Sequence, residues 1–213
     1  MKHFLGILTI AAGLTVSAGA STLWDNGAPD NVIAGNMTFF RIADDFTLAG
    51  AGTAASIQFW IALSSPSNFN GSITYALYND NAGALGTQIA LNTVSGLTPV
   101  PTSNVLSGAP TFSVYAVSFN LVSPVPLGAG TFWLELHEGS SLTANDGTST
   151  YWATSAQSGN ARADPVPTVP TTARGFELAF QIFDTTVPEP GSMALTSLGI
   201  GALVCFARRW RRV

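Results

Sequence analysis

Ile57, Phe59, Ile61 and Leu63 alternate with Ser56, Gln58, Trp60 and Ala62, and this two-residue period returns along the chain. It recurs at Ile73, Tyr75 and Leu77, at Phe132, Leu134 and Leu136, and at Phe176, Leu178, Phe180 and Ile182. Side chains of an extended strand point to opposite faces in turn, so each run predicts a strand with one face on a core. Phe39 to Leu48, Thr87 to Leu91, Phe112 to Leu121 and Thr150 to Thr154 bring the set to about eight short strands. Gly, Pro, Asn and Ser separate them, as turns require. No window between them carries a long helical period. The fold class that follows is all-β: a two-sheet antiparallel sandwich, jelly-roll-like. Residues 92–111 and 155–173 read as loops, with Asp164 to Pro170 an extended surface excursion. In the 112–121 run the apolar phase passes from Phe112 and Val114 to Val117, Phe119 and Leu121, which predicts a bulge or bend near Ala116.

The two ends follow different rules. Lys2 and His3 precede an uncharged apolar run from Phe4 to Val16, and Ala18-Gly19-Ala20 forms a small-x-small cleavage site. Residues 1–20 therefore read as a secretory signal peptide, a signal helix removed at Ala20 to leave Ser21 first. At the other end Pro188-Glu189-Pro190 precedes a mostly apolar stretch from Met193 to Ala207, then Arg208, Arg209, Trp210, Arg211 and Arg212. As a helix that stretch is about 22 Å long, short against a hydrocarbon core of about 30 Å. The arginines cannot enter a core and suit a cytoplasmic interface. The tail thus reads as a marginal transmembrane helix with the body, residues 21–186, held outside.

This tail, residues 187–213, resembles the PEP-CTERM sorting signal: Pro188-Glu189-Pro190, a hydrophobic segment and the basic cluster Arg208, Arg209, Arg211 and Arg212, in that order. The resemblance implies processing near the Pro-Glu-Pro by an exosortase, a membrane-embedded cysteine protease. It also implies a Gram-negative producer that secretes exopolysaccharide and builds biofilm or floc. The body is similar to a β-sandwich type found on such tailed proteins. Ala43-Asp44-Asp45-Phe46, Tyr75 to Asp80, Gly130 to Leu134, Tyr151 to Thr154 and Phe176 to Phe180 carry that likeness, to which no shared activity attaches.

Removing both ends changes the charge. The whole chain carries −4, but residues 21–187 keep only Arg41, Arg162 and Arg174 against eleven carboxylates, which leaves −8. They contain no lysine, and the single cysteine, Cys205, lies in the tail. An acidic body argues against a nucleic-acid partner and favours divalent cations as bridges to anionic polymer. The absence of thiols excludes a disulfide framework and cysteine-rich metal sites.

Three chemistries compete for the body. Strand alternation places Trp133, Glu135 and His137 on the face opposite Phe132, Leu134 and Leu136, where a His–carboxylate pair could do acid–base work. Glu135 and Glu177 could supply the carboxylate pair of a glycoside hydrolase, yet both fit the solvent face of a strand. Nucleophile-elbow and metalloprotease motifs are absent, and the expectation is a protein that is not an enzyme. Trp133, His137, Trp60 and Trp152, with Tyr78 and Tyr151, form a possible carbohydrate face. Asp25-Asn26-Gly27 with Asp30-Asn31, Asp44-Asp45, Asn79-Asp80-Asn81 and Asn145-Asp146-Gly147 offer oxygen ligands suited to Ca²⁺. Such residues also make turns without any ion. Asp44 and Asp45 stand apart, because adjacent carboxylates inside a strand are unfavourable unless something neutralises one. Asp80 is the third metal candidate. Sequons at Asn36 and Asn70 read as chance matches in bacterial export.

The expected function is an exported structural or interaction protein of the cell surface or extracellular matrix. It is processed by an exosortase after transient membrane anchoring and associated with exopolysaccharide, with calcium as a bridge. A lectin-like carbohydrate-binding module is the alternative, and a secreted hydrolase the third reading.

Overall fold

The computed structural model describes residues 21–145 and 149–184. Thirteen strands occur among them: β1 Thr22–Asp25, β2 Pro29–Asn36, β3 Phe40–Leu48, β4 Gly52–Leu63, β5 Ser72–Asp80, β6 Leu85–Ser95, β7 Val100–Leu106, β8 Ala109–Leu127, β9 Gly130–Glu138, β10 Tyr151–Ser155, β11 Arg162–Pro165, β12 Glu177–Leu178 and β13 Phe180–Phe183. The one helical element among the described residues is a 3₁₀ turn at Pro66–Asn68. No helix there is long and apolar enough to cross a membrane. The expected signal and tail helices lie outside the described residues.

Every strand pairing is antiparallel. One sheet runs β11-β3-β9-β5-β6, five strands in all. The other has eight and is built around β4, whose one edge carries β8 while its other edge carries β13 and then β10. The alternation that predicted β4 decides its packing. Ile57, Phe59, Ile61 and Leu63 are fully buried against Phe46, Tyr75, Leu77, Leu134 and Leu136 of the five-stranded sheet. Trp152 and Phe180 complete this core between the sheets.

The structure corrects the strand inventory. The expected eight or so strands become thirteen. The added β1, β2, β7 and β11 are short or carry Pro29, Pro101 or Pro165, residues that blur an alternating pattern. Two expected loops therefore contain paired backbone: 92–111 holds the end of β6, all of β7 and the start of β8, and 155–173 holds β11. Asp164 and Pro165 pair with Arg41 and Phe40 rather than running free.

Near Ala116 the irregularity falls on one edge of β8 alone: its pairing with β7 shifts register between Pro101 and Val105, opposite Tyr115 and Ser113, while its β4 edge has no bulge there. Pairing with β4 is unbroken from Leu63↔Ser113 to Ser56↔Asn120, and the register shifts only beyond Ser56. The phase change has another cause, since both faces of β8 are covered. Val117, Phe119 and Leu121 enter the inter-sheet core, while Val114 packs on the outer face with Ala62 and Leu106.

The β5–β6 hairpin closes on a two-residue turn, with Asn81 and Ala84 exchanging backbone hydrogen bonds at 2.8 and 3.2 Å. A right-twisted hairpin needs positive φ at both central residues. Gly83 adopts 79° freely, and Ala82 is held at 53°.

Candidate functional site

Trp133, Glu135 and His137, expected on a solvent-facing strand face, are all buried, at 1%, 0% and 0% exposure. Their face is the outer side of the five-stranded sheet, and the protein's own loops cover it. Leu142, just beyond β9, packs on Ala43, Ala76, Tyr78 and Trp133. The Arg162 guanidinium lies 5.4 Å from the Trp133 ring centroid. Pro167 O accepts a bond from Arg41 Nη1 at 3.3 Å.

Beneath that cover lies an ion pair. Arg41 Nε donates to Glu135 Oε1 at 2.6 Å and Arg41 Nη2 to Oε2 at 2.9 Å, a bidentate geometry with the carboxylate fully buried. Tyr78 O–H donates to the same Oε2 at 2.6 Å. Burial and the adjacent Glu135 charge push the Tyr78 phenol well above its usual range, against the opposing pull of Arg41. A raised acid is favoured in its neutral form by the fold. Its contribution is complete below the unfolded tyrosine value of about 10 and is lost progressively as pH rises from there toward the higher folded value. Residues 21–187 contain no lysine to obscure this limb. Urea titrations from pH 8 to 11 should show stability falling above about pH 10. Tyr78→Phe should lose about 1.5–3 kcal/mol at pH 7 and show a visibly flatter alkaline decline. An unchanged decline would place the titrating group elsewhere.

The carbohydrate face does not assemble. Trp133, His137 and Trp152 are buried, and Trp152 points into the core between the sheets, its Nε1 donating to Ala179 O at 3.0 Å. Trp60 is half-buried on the outer face of the other sheet, packed near Ala62, Leu106 and Val114. A sugar ring needs an open aromatic face, which none of the three buried side chains offers. A concave cavity of 540 Å³ does open between the 94–100 segment and the outward residues Gln58, Ser118 and Asn120, and no tryptophan lines it. The proposed hydrolytic pair is also separated: Glu135 belongs to the Arg41 pair, and Glu177 to a different cluster.

That second cluster starts from Asp44. It falls on the core-facing side of β3, between Ile42 and Phe46, at 0% exposure. Asp44 Oδ2 accepts from Leu178 N at 2.6 Å and from Asn26 Nδ2 at 3.1 Å, and Oδ1 accepts from Asp45 N at 3.1 Å. Asn26 Nδ2 also donates to Glu177 Oε2 at 2.8 Å. Oxygens of Asp44, Asp45 and Glu177 come within 4.8 Å of one another. Glu177, expected on a solvent face, is 8% exposed: Leu178 and Phe180 keep the core side, and Asn26 and the Gly159–Asn160 segment cover the Glu177 carboxylate. Gly159 makes room for it: a Cβ there would fall 1.2 Å from Glu177 Oε1. Asn160 N donates to that oxygen at 3.3 Å.

No cation offsets these charges, since the one ion pair found among the described residues joins Arg41 to Glu135. Burial, then the Glu177 charge, hold the Asp44 carboxyl well above the ordinary carboxylate range and push Asp45 upward as well. Two solutions exist for such a group: keep a proton, or hold a metal ion. Asp80, the third metal candidate, stands outside the trio. It accepts Trp133 Nε1 at 2.8 Å and Gly83 N at 3.1 Å, and its charge is felt at Asp45.

Other predicted ligands are turn-makers: Asp25 Oδ1 accepts Gly27 N, and Asp30 Oδ1 accepts Val32 N, each at 2.9 Å. Asn36 and Asn70 of the sequons do likewise for Thr38 and Ser72. Asp146 and Gly147 lie outside the described residues, as do Ala18, Ala20, the Pro-Glu-Pro and the arginine cluster. Sequence reasoning singled out Asp44 and Asp45 but missed Asn26, Gly159 and Asn160 as a constellation. The only local signal they give is turn propensity.

Residues 186–212 match the PEP-CTERM protein-sorting motif, the family expected from the tail. No curated protein matches the chain.

Proposed function

We propose that this exosortase substrate delivers a non-catalytic structural or interaction module to the extracellular polysaccharide. The sorting motif at 186–212 implies exosortase-dependent export to the cell surface, and it carries the reading. On this reading the chain's signal peptide ends at Ala20 and its tail serves as a transient anchor. The body supports a structural role through what it does with its reactive groups. Glu135 is bonded to Arg41 and Tyr78, Glu177 to Asn26, and Glu138 accepts Thr38 Oγ1 and Asn70 N, all inside the fold. An acidic surface without lysine stays soluble and avoids binding an anionic polymer except through cations.

The lectin-like alternative has one supporting observation, the 540 Å³ cavity beside Gln58, Ser118 and Asn120. A glycan array run with and without Ca²⁺ separates the two. A discrete glycan ligand favours the lectin-like module; broad, cation-dependent retention on acidic polymers favours the matrix role.

Delivery is tested at the motif. With Pro188, Glu189 and Pro190 replaced by alanine, the chain should accumulate unprocessed in the membrane fraction instead of reaching the extracellular polymer. Normal maturation of that variant, or wild-type protein recovered intact from the cytosol, sinks the proposal.

A further inference from the structure

We infer that Asp44, Asp45 and Glu177 form a calcium site, completed by two side-chain oxygens that the fold otherwise leaves without a partner. An acidic cluster alone is a weak reason to invoke an ion, and the two oxygens supply the stronger one. Asn160 Oδ1 is buried with no hydrogen-bond donor. Its residue is fixed to the cluster on both sides, by N–H to Glu177 Oε1 at 3.3 Å and by a side-chain bond to Asp45. Ser155 is 3% exposed, and its Oγ is likewise unpartnered. It lies directly opposite Glu177 in the β10–β12 pairing, so both side chains project from the same face of the sheet. Buried oxygens without donors are costly in isolation and costlier beside carboxylates. A cation removes both penalties together.

The donor set selects the ion. Three carboxylates, a carboxamide oxygen and a hydroxyl are hard oxygen ligands, with no histidine nitrogen or thiolate to favour zinc. They come from β3, β10, β12 and the 156–161 loop, an irregular arrangement that suits the larger, geometrically tolerant Ca²⁺ better than octahedral Mg²⁺. Export places the body where millimolar Ca²⁺ saturates weak sites, but the site is independent of any polysaccharide partner.

The test uses the purified full chain, stripped with EGTA and titrated with Ca²⁺ and Mg²⁺ by calorimetry, with melting followed in parallel. One Ca²⁺ per chain should bind with Kd of about 10⁻⁴–10⁻³ M, raising the melting temperature by about 4–8 °C at 10 mM. Mg²⁺ should bind more weakly. Asp45→Asn should weaken Ca²⁺ binding about ten-fold or more, while its melting temperature in EGTA is no lower than that of the wild type. That condition separates lost ligation from lost folding. Asn160→Ala, which removes no charge, should also weaken binding several-fold. Tb³⁺ luminescence sensitised through Trp133, bonded to the neighbouring Asp80, should fall with both substitutions. If stripped protein shows no saturable Ca²⁺ uptake, or either variant binds as the wild type does, the carboxylates are managed by protonation and the site does not exist.

Discussion

Arg41→Met is expected to remove about 3–5 kcal/mol of stability, measured by equilibrium urea unfolding at pH 7. The size follows from where Glu135 is left. Its carboxylate is 0% exposed and, without the guanidinium, keeps only the Tyr78 hydroxyl at 2.6 Å among its described side-chain donors. An uncompensated charge in that position costs far more than the net worth of the pair. The double replacement Arg41→Met with Glu135→Leu should recover most of the loss, because two well-packed apolar side chains need no compensation. Arg41 also holds Pro167 O, so the single variant should become open to proteolysis in the 166–173 segment before the core unfolds. A loss below about 1 kcal/mol is the magnitude of an exposed pair and would contradict the burial described.

The same pair marks the limit of what alternation reveals. A period of two says which side chains share a face. It said correctly that Ile57, Phe59, Ile61 and Leu63 face one way and that Trp133, Glu135 and His137 oppose Phe132, Leu134 and Leu136. It is silent on whether a second layer covers the other face. Here Leu142 and Pro167, from segments with no periodicity at all, supply that layer, and a face expected to meet sugar meets the protein instead. Residues 112–121 teach the same lesson in another form: a phase change needs no bulge on the β4 edge when both faces are covered.

Asp44 was legible as an anomaly and illegible as a site. Charge inside a strand announces that a partner must exist, but the partners lie far away in sequence. Asn26 is 18 positions distant and Leu178 is 134, and only the tertiary fold brings their N–H groups to the Asp44 carboxylate. Asn and Gly at 159–160 look like any turn, and only the fold shows Glu177 occupying the space above Gly159. Export, by contrast, was legible because a sorting tail is read as linear sequence: the tail expected at 187–213 is matched at 186–212.

Trp152→Ala is the second large effect, at about 3–5 kcal/mol, or a fall of about 6–20 °C in melting temperature. The ring is fully buried and meets Phe59 edge-on at 6.1 Å and Phe180 at 5.9 Å, so it ties β4, β10 and β13 together at the centre of the core. Truncation to Ala leaves a cavity that three neighbouring strands, all hydrogen-bonded in register, cannot collapse to fill. Trp152→Phe keeps most of the ring and loses the bond from Nε1 to Ala179 O, which still accepts from Trp60 N at 3.4 Å. It should cost only about 1–2 kcal/mol. Because Phe at this position leaves the surface unchanged, its retention on acidic polymers or glycans should equal that of the wild type. A selective loss of sugar binding in a stably folded Trp152→Phe protein would instead return this side chain to a ligand-binding role and contradict its place in the core.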